Sequence, residues 1–187
     1  MNHFEGKYEV EFKYKISSKE TALERLIAEN AEEFIIGNTE TDYFFDYADN
    51  RLQRENKSLV IREMKPSGKI LWIVKGPGPD HCEALDLDDC SKALSMLENM
   101  GFILKDRFTK NRDIYFIDKF HITIDDLKNV GTFAEVATMT NDQSILPSLA
   151  KQAQTLATTL GFMPENIEKR SYREIFSTLS QQGSALT

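Results

Sequence analysis

Apolar and charged residues alternate in the stretch YEVEFKYK, residues 8–15, and this alternation is typical of a β-strand. Three charged side chains share one face of the strand, and three apolar side chains share the other. The charged face holds Glu9, Glu11 and Lys13, and the apolar face holds Val10, Phe12 and Tyr14. We predict a strand over residues 4–16, whose charged face points either to water or into the interior of the fold.

Seven later segments also read as strands, and the alternation is repeated at residues 82–87. They are ETDYFFDY (40–47), KSLVIREMK (57–65), KILWIVK (69–75), CEALDL (82–87), RFTKNRDIYFID (107–118), HITIDDL (121–127) and TFAEVAT (132–138). Short turns separate several of these segments, as at Pro66-Ser67-Gly68 and at Asp118-Lys119. Because short turns join antiparallel neighbours, the pattern predicts an antiparallel sheet.

Four other segments have the apolar period of a helix. The predicted helices cover residues 17–30, 88–100, 142–160 and 171–180. Capping boxes mark the first and last of these helices: Ser17 with Glu20, and Ser171 with Glu174. The inward positions of the second helix are Ala93, Leu94, Leu97 and Met100.

These elements predict an α+β fold. About eight antiparallel strands of this length can close into a barrel, with the helices packed outside it. No linker divides the chain, so we predict a single domain over residues 1–180, followed by a loose tail at residues 181–187.

Composition narrows the function classes. The chain has 187 residues and a net charge of −7, which disfavours a general nucleic-acid binder and a membrane-surface protein. The N-terminal stretch lacks the apolar segment of a signal peptide, and no apolar run is long enough to span a bilayer. Cys82 and Cys90 lack the spacing of a zinc or redox site, and the three histidines are scattered. We therefore expect a cytoplasmic protein with two reduced thiols.

Charged residues within the later strands follow the strand period as well. The cations are Lys13, Arg62, Lys75, Lys110 and Arg112, and the carboxylates are Glu9, Glu11, Asp125 and Glu135. Any one of them is compatible with the solvated outer face of a sheet. The set recurs on strand after strand, however, and a barrel lined by these groups on its concave face explains the set better.

An inner wall of this kind requires compensating ligands, because an unpaired buried charge is very costly. The five cations suit a triphosphate, which carries roughly four negative charges. The carboxylates would repel phosphate unless divalent cations stood between them, and Mg²⁺ typically binds one or two carboxylates together with substrate phosphates.

In this order the residues resemble the CYTH superfamily, whose members fold as a triphosphate tunnel. The Glu-x-Glu-x-Lys motif is Glu9-Val10-Glu11-Phe12-Lys13 here, and the later elements also match. They are LVIR (59–62), WIVKGP (72–77), KNR (110–112), IDD (124–126) and FAEV (133–136). The resemblance covers essentially the whole chain and is closest to the class IV adenylyl cyclases of bacteria, which are compact cytoplasmic dimers.

The resemblance implies a Mg²⁺- or Mn²⁺-dependent enzyme that converts ATP to 3′,5′-cyclic AMP and pyrophosphate. The residues that it places in the site fall into three overlapping sets. The implied metal ligands are Glu9, Glu11 and Glu135; the implied triphosphate ligands are Lys13, Arg62, Lys75, Lys110 and Arg112; the implied catalytic group is Glu9, Glu11, Lys13, Asp125 and Glu135. For Asp125, metal binding and base-like activation are both open. The implied partners are ATP and a second copy of the chain, without nucleic acid or membrane.

Several alternatives stay open at this point. A triphosphatase acting on thiamine triphosphate or inorganic triphosphate would use the same tunnel. A polyphosphate-sensing module without turnover is disfavoured by the inward carboxylates, and an RNA 5′-triphosphatase is disfavoured by the acidic balance. Tyr172 either packs with its helix neighbours, which we favour, or lies near the tunnel mouth. For Phe4, Tyr43 and Phe45, contact with the adenine base and a place in the core are both open, and we expect the core because aromatic strand residues are usually buried there.

Overall fold

The computed structural model describes residues 3–183, and in that range one antiparallel sheet of eight strands carries helices on its outer side. The strands are β1 (Tyr8–Ile16), β2 (Glu32–Asp46), β3 (Ser58–Lys65), β4 (Ile70–Lys75), β5 (Cys82–Leu87), β6 (Ile103–Ile117), β7 (Phe120–Leu127) and β8 (Gly131–Thr140). The helices are α1 (Lys19–Ala28), α2 (Arg51–Arg54), α3 (Cys90–Asn99), α4 (Leu146–Thr159) and α5 (Tyr172–Gly183). No helix in this range is long and apolar enough to cross a membrane.

The order of the strands across the sheet is β1-β8-β7-β6-β2-β3-β4-β5. The register places residues of opposite charge directly across from each other on neighbouring strands. The pairs are Lys13 with Glu135, Arg112 with Asp125, Lys110 with Glu40, and Arg62 with Asp42. Such cross-strand pairs stabilise a sheet and fix its register. The register therefore builds an ordered charged face before any ligand is considered.

The prediction of a closed barrel is confirmed only in part, because the sheet curls into a half-barrel. Its two edge strands, β1 and β5, meet at a single bridge between Tyr8 and His81. Beside that bridge the Glu9 amide donates to the Asp80 carbonyl at 2.7 Å, and the Cys82 amide donates to the Lys7 carbonyl at 3.0 Å. The segment GPGPD between β4 and β5 is not in a strand conformation. The pairing between β1 and β5 is therefore limited to this bridge and the two hydrogen bonds beside it.

The main core lies on the outer side of the sheet, between β1, β7 and β8 and the helices α1 and α4. Val10 and Tyr14 of β1 are buried there. Ala153 and Ala157 of α4 have no exposed surface, and their small side chains let the helix approach the strands closely. Because helices cover the apolar face of β1, its charged face points into the concave side, as predicted.

Most predicted elements are confirmed, and β5 has the predicted bounds. The start of α1 was predicted one residue too early: Ser18 is the N-cap, and its Oγ accepts from the Thr21 amide at 3.1 Å. Strand β2 begins at Glu32, well before the predicted residue 40. The prediction missed this first part because two irregularities in the pairing of β2 with β6 interrupt the alternation there. Gly37, whose φ is +69°, lies within the second of them.

Other boundaries were also corrected. Strand β1 starts at Tyr8 rather than at residue 4. Met100, predicted to face inward, caps the C-terminal end of α3 and is 66% exposed. The capping box of α5 is confirmed, since the Ser171 amide donates to Glu174 Oε2 at 2.7 Å. Helix α5 continues to Gly183, and the remainder of the predicted tail, residues 184–187, lies outside the described residues.

Candidate active site

All of the residues predicted for the site take part in ion pairs on the concave side of the sheet. The cations are Lys13, Arg62, Lys75, Lys110 and Arg112, and the carboxylates are Glu9, Glu11, Asp125 and Glu135. Since they come from β1, β3, β4, β6, β7 and β8, only the curled sheet brings them together. Two groups of these residues are distinct, one at the edge of the sheet and one that is buried.

The edge group, which we call the seam cluster, consists of Glu9, Glu11 and Lys75. Lys75 Nζ lies 2.9 Å from Glu9 Oε2 and 3.6 Å from Glu11 Oε2. The side chains of Lys75 and Glu11 keep 47% and 30% of their exposure. A cavity of about 150 Å³ adjoins the cluster and is lined by these three residues and residues 79–82. The seam cluster therefore lies where β1 and β5 meet, open to solvent.

The two carboxylates of the seam cluster differ in their proton affinity. Partial burial, together with the negative charges of Glu135 and Glu9, raises the pKa of Glu11. Burial acts on Glu9 in the same sense, but Lys75 and His121 hold the pKa of Glu9 well below its usual range. His121 Nε2 lies 3.7 Å from Glu9 Oε1. Of the two seam carboxylates, Glu11 thus has less positive charge beside it than Glu9.

The buried group, which we call the floor cluster, consists of Arg112, Asp125, Glu135 and Tyr172. Arg112 donates from Nε and Nη2 to the two oxygens of Asp125 at 2.6 and 2.5 Å, and from Nη2 to Glu135 Oε2 at 2.5 Å. The Tyr172 hydroxyl donates to Asp125 Oδ2 at 2.5 Å. Burial opposes ionisation of Glu135, yet Arg112 and Lys13 lower its pKa to about 2. The floor cluster is therefore buried and tightly paired, with Glu135 in its ionised form.

Lys13 links the floor cluster to the C-terminal part of the chain. Its Nζ donates to the Arg170 carbonyl at 3.0 Å and lies 3.7 Å from Glu135 Oε1. The same ammonium group lies 4.2 Å from the centre of the Tyr172 ring, within cation–π range. Lys13 is thus buried with three different partners.

Two carboxylates that the sequence analysis did not select complete the wall. Asp42 accepts from Arg62 Nε and Nη2 at 2.6 and 2.8 Å, and Glu40 Oε2 lies 3.1 Å from Arg62 Nη1. Burial opposes ionisation of Asp42, but Arg62 lowers its pKa to about 2. Their spacing of two residues within a strand was the available indication, since it repeats the same-face pattern of Glu9 and Glu11.

Lys110 is the least compensated cation of the wall. It is 3% exposed, and its Nζ lies 3.4 Å from Glu40 Oε2. Within residues 3–183 no acceptor forms a hydrogen bond with this ammonium group. Burial, with the positive charges of Arg112 and Arg62, lowers the pKa of Lys110. A buried ammonium group in this state is a ready site for an anion.

Comparison with known proteins identifies the family of this wall. The CYTH domain matches residues 7–172. The chain belongs to the CYTH family. It is 46% identical over 184 residues to the adenylate cyclase CyaB of Aeromonas hydrophila, covering 98% of this chain and 94% of that protein. The family predicted from the sequence motifs is therefore confirmed.

Solved structures agree with this assignment. An X-ray structure of a Vibrio parahaemolyticus protein, provisionally assigned as an adenylate cyclase, matches with a TM-score of 0.90 at 40% identity. The match covers 92% of this chain and 99% of the Vibrio chain. A Hippeastrum protein described as having a dominant triphosphatase activity shares the fold, with a TM-score of 0.63 at 18% identity over 91% of this chain and 95% of that one.

The aromatic residues of the CYTH domain were predicted with mixed success. Tyr172 does pack with Ile175, as favoured, but its hydroxyl also enters the floor cluster. Phe45 is buried in the core, and Tyr43 packs against that part of the core, as expected. Phe4 is 40% exposed, with its ring centre 4.8 Å from that of His121, so the expected core position is wrong for Phe4.

The carboxylates of the wall fit a divalent metal in donor type and in charge. Mg²⁺ and Mn²⁺ prefer oxygen ligands, and six carboxylates outnumber five cations on the wall once Glu40 and Asp42 are included. As they stand, no three acidic, histidine or cysteine side chains of the described residues converge into a metal-binding group. Glu9 and Glu11 are instead paired with Lys75, and Glu135 with Arg112.

Proposed function

We propose that this protein is an adenylate cyclase that converts ATP to 3′,5′-cyclic AMP and pyrophosphate. The relative that is 46% identical over nearly the full length of both chains is an adenylate cyclase by name. The observation within the molecule that carries the proposal is Lys110, a buried ammonium group that has no hydrogen-bond acceptor within residues 3–183 and whose pKa is lowered by burial and by the positive charges of Arg112 and Arg62. A polyphosphate chain supplies the acceptors that this position lacks.

The cations of the wall would hold the triphosphate. Lys13, Arg62, Lys75, Lys110 and Arg112 come from four strands and surround one concave space. Arg62 and Arg112 are held in fixed orientations by Asp42 and Asp125, so that they need little reorganisation when a phosphate arrives. Negative charge grows on the departing pyrophosphate during the reaction, and fixed cations stabilise such charge most effectively.

The seam carboxylates and Glu135 would hold the metal ions. A triphosphate added to a wall that already has more carboxylates than cations creates a large negative excess, which Mg²⁺ or Mn²⁺ offsets. The raised pKa of Glu11 supports this assignment, because it reports uncompensated negative charge around that carboxylate. When bound, the metal makes the ribose 3′-hydroxyl more acidic. We therefore propose Glu9, Glu11 and Glu135 as its ligands.

The reaction itself is an intramolecular displacement. The ribose 3′-oxygen forms a bond to the α-phosphorus, the bond from that phosphorus to the bridging oxygen breaks, and the hydroxyl proton passes to solvent. The chain contributes by holding the phosphates so that the attacking and leaving oxygens are in line. In this scheme Lys13, Lys110 and the two arginines orient the triphosphate, and no protein nucleophile takes part.

Three further features belong to this proposal. A closed barrel is supported by the Tyr8–His81 bridge, which already joins the two edge strands at one point. A homodimer and a cytoplasmic location follow from the resemblance to class IV adenylyl cyclases. Light scattering coupled to size-exclusion chromatography tests the dimer, because a monomeric mass over the working concentration range contradicts it.

A CYTH-type triphosphatase is the alternative, because the same wall would hold the phosphates while water attacked the terminal phosphorus. ATP that lacks the ribose 3′-hydroxyl separates the two functions. We expect 3′-deoxy-ATP to bind and inhibit without reaction, whereas 2′-deoxy-ATP is still cyclised. Chromatography that resolves pyrophosphate from orthophosphate gives the readout. Release of orthophosphate from 3′-deoxy-ATP as fast as from ATP would establish the triphosphatase instead.

A further inference from the structure

Asp125 is buried and already held by donors from this chain. Its side chain has no exposed surface. Oδ1 accepts from Arg112 Nε, and Oδ2 accepts from Arg112 Nη2, from the Tyr172 hydroxyl and, at 3.5 Å, from the Thr123 hydroxyl. A carboxylate offers about two acceptor positions on each oxygen, so the short contacts with Arg112 and Tyr172 use one position on Oδ1 and both on Oδ2. A metal ion or a substrate proton at Oδ2 would have to displace contacts of 2.5 Å.

Tyr172 is held in place from several sides. It is 7% exposed, its ring meets Phe133 edge-on with centres 5.7 Å apart, and the ammonium groups of Lys13 and Lys110 lie 4.2 and 4.8 Å from its ring centre. It is the first residue of α5, directly after the capping residue Ser171. Burial and the carboxylates of Glu135 and Asp125 raise its pKa well above the usual value, so the hydroxyl keeps its proton and acts as a donor.

These contacts fix the orientation of Arg112. Nε and Nη2 of its guanidinium are bound to Asp125 and Glu135, whereas no acceptor within residues 3–183 forms a hydrogen bond with Nη1. The guanidinium plane is therefore fixed, and one nitrogen is left for a ligand. Ordering a long side chain costs conformational entropy, and here the protein bears that cost before a phosphate binds.

We infer that Tyr172 is a positioning residue that acts through Asp125 to fix the guanidinium of Arg112 for the triphosphate, and that Asp125 is an orienting partner of Arg112 rather than a metal ligand or a general base. This inference rests on the proposed role of Arg112 in triphosphate binding. It also means that the site is complete only when the start of α5 is docked against β6 and β7.

The first test measures the affinity of inorganic tripolyphosphate, with Mg²⁺ present, by isothermal titration calorimetry. Tyr172→Phe keeps the ring that faces the two ammonium groups and removes only the hydroxyl. We expect it to weaken tripolyphosphate binding about five- to ten-fold, which is less than the ten-fold or more of a direct hydrogen bond to a charged group, because the hydroxyl acts on the phosphate only through Asp125 and Arg112. Tyr14→Phe is the matched control, since Tyr14 is a buried tyrosine on the outer face of β1, and it should leave the affinity unchanged.

A double-mutant comparison separates positioning from a general structural effect. If Tyr172 acts through Arg112, then Tyr172→Phe causes little further loss when Arg112→Lys is already present, because lysine cannot be held by the same paired contacts. Equal losses in both backgrounds, or no loss in the wild-type background, would overturn the inference. Failure of the wild-type protein to bind tripolyphosphate would instead overturn the proposed function, so the two failures are distinguishable.

The second test concerns Asp125 and uses Mn²⁺ binding, followed by electron paramagnetic resonance in the presence of tripolyphosphate at saturating concentration. Asp125→Asn should reduce the Mn²⁺ affinity far less than Glu11→Gln, because only the second change removes a proposed carboxylate ligand. A loss in Asp125→Asn that equals the loss in Glu11→Gln would show that Asp125 is a metal ligand and would overturn its assignment as an orienting partner.

Discussion

The seam cluster and the floor cluster lie in one concave space, yet their charges are compensated very differently. Glu135 of the floor cluster is paired with Arg112 and Lys13, and its pKa is lowered to about 2. Glu11 of the seam cluster shares Lys75 with Glu9, and its pKa is raised. The two carboxylates differ in the number of cations beside them, so that the floor cluster is balanced before a ligand binds and the seam cluster is not.

The topology explains this difference. The floor cluster comes from neighbouring central strands, where direct cross-strand pairs such as Arg112 with Asp125 fix each side chain. The seam cluster spans the gap between β1 and β5, which meet at one bridge. A gap of this kind can adjust when ions and substrate arrive, whereas the floor cluster is rigid. We infer that the floor cluster orients the triphosphate and that the seam cluster responds to it.

Removal of Arg112 should have the largest effect on the molecule. Arg112→Ala leaves Asp125 and Glu135 buried without their main partner, and breaking a buried ion pair in this way costs roughly 3–5 kcal/mol of folding free energy. Urea unfolding measures the change. A loss below about 1 kcal/mol would mean that the floor cluster is not the rigid, balanced group described here.

Removal of a seam carboxylate should abolish turnover without harming the fold. Glu11→Ala relieves repulsion from Glu9 and Glu135, so that we expect unchanged or slightly higher stability, while loss of a metal ligand reduces turnover by at least about 100-fold. Thermal unfolding and turnover should be measured on the same preparation. Wild-type turnover in Glu11→Ala would remove this residue from the site.

A smaller effect is expected at Lys110, the least compensated cation of the wall. Lys110→Ala should weaken tripolyphosphate binding about ten-fold or more, since a hydrogen bond to a charged group contributes roughly 1.5–3 kcal/mol. Lys128 is exposed in the turn between β7 and β8, and Lys128→Ala is the control. It should leave the affinity for tripolyphosphate nearly unchanged. Equal losses at the two lysines would show that general charge, and not the buried position, attracts the anion.

The smallest expected effect is a change in acid stability at Asp42. Its pKa is lowered to about 2 in the folded protein, so its stabilising effect is present above the unfolded value near 3.8 and is lost as the pH falls toward 2. This contribution is at most about 2.5 kcal/mol. Asp42→Asn should therefore unfold with a shallower pH dependence between pH 4 and pH 2. An unchanged slope would show that Arg62 does not stabilise the ionised form of Asp42.

The part of the site that follows strand alternation could be predicted from the sequence. Glu9, Glu11 and Lys13 lie on the concave face because each is two residues from the next. Glu40 and Asp42 obey the same rule within the predicted strand 40–47, so they could have been selected from the sequence as well. Tyr172 could not be placed, because its contact with Asp125 joins residues 47 positions apart, and no local pattern encodes such a contact.

Product analysis with ATP tests the central claim most directly. The wild-type protein is incubated with ATP and either Mg²⁺ or Mn²⁺, and anion-exchange chromatography follows cyclic AMP, pyrophosphate, ADP and orthophosphate together. We predict cyclic AMP and pyrophosphate in equal amounts, with turnover absent when a chelator removes the metal and lost in Glu11→Ala. Formation of ADP and orthophosphate, or of AMP and pyrophosphate without cyclic AMP, would contradict the assignment as an adenylate cyclase.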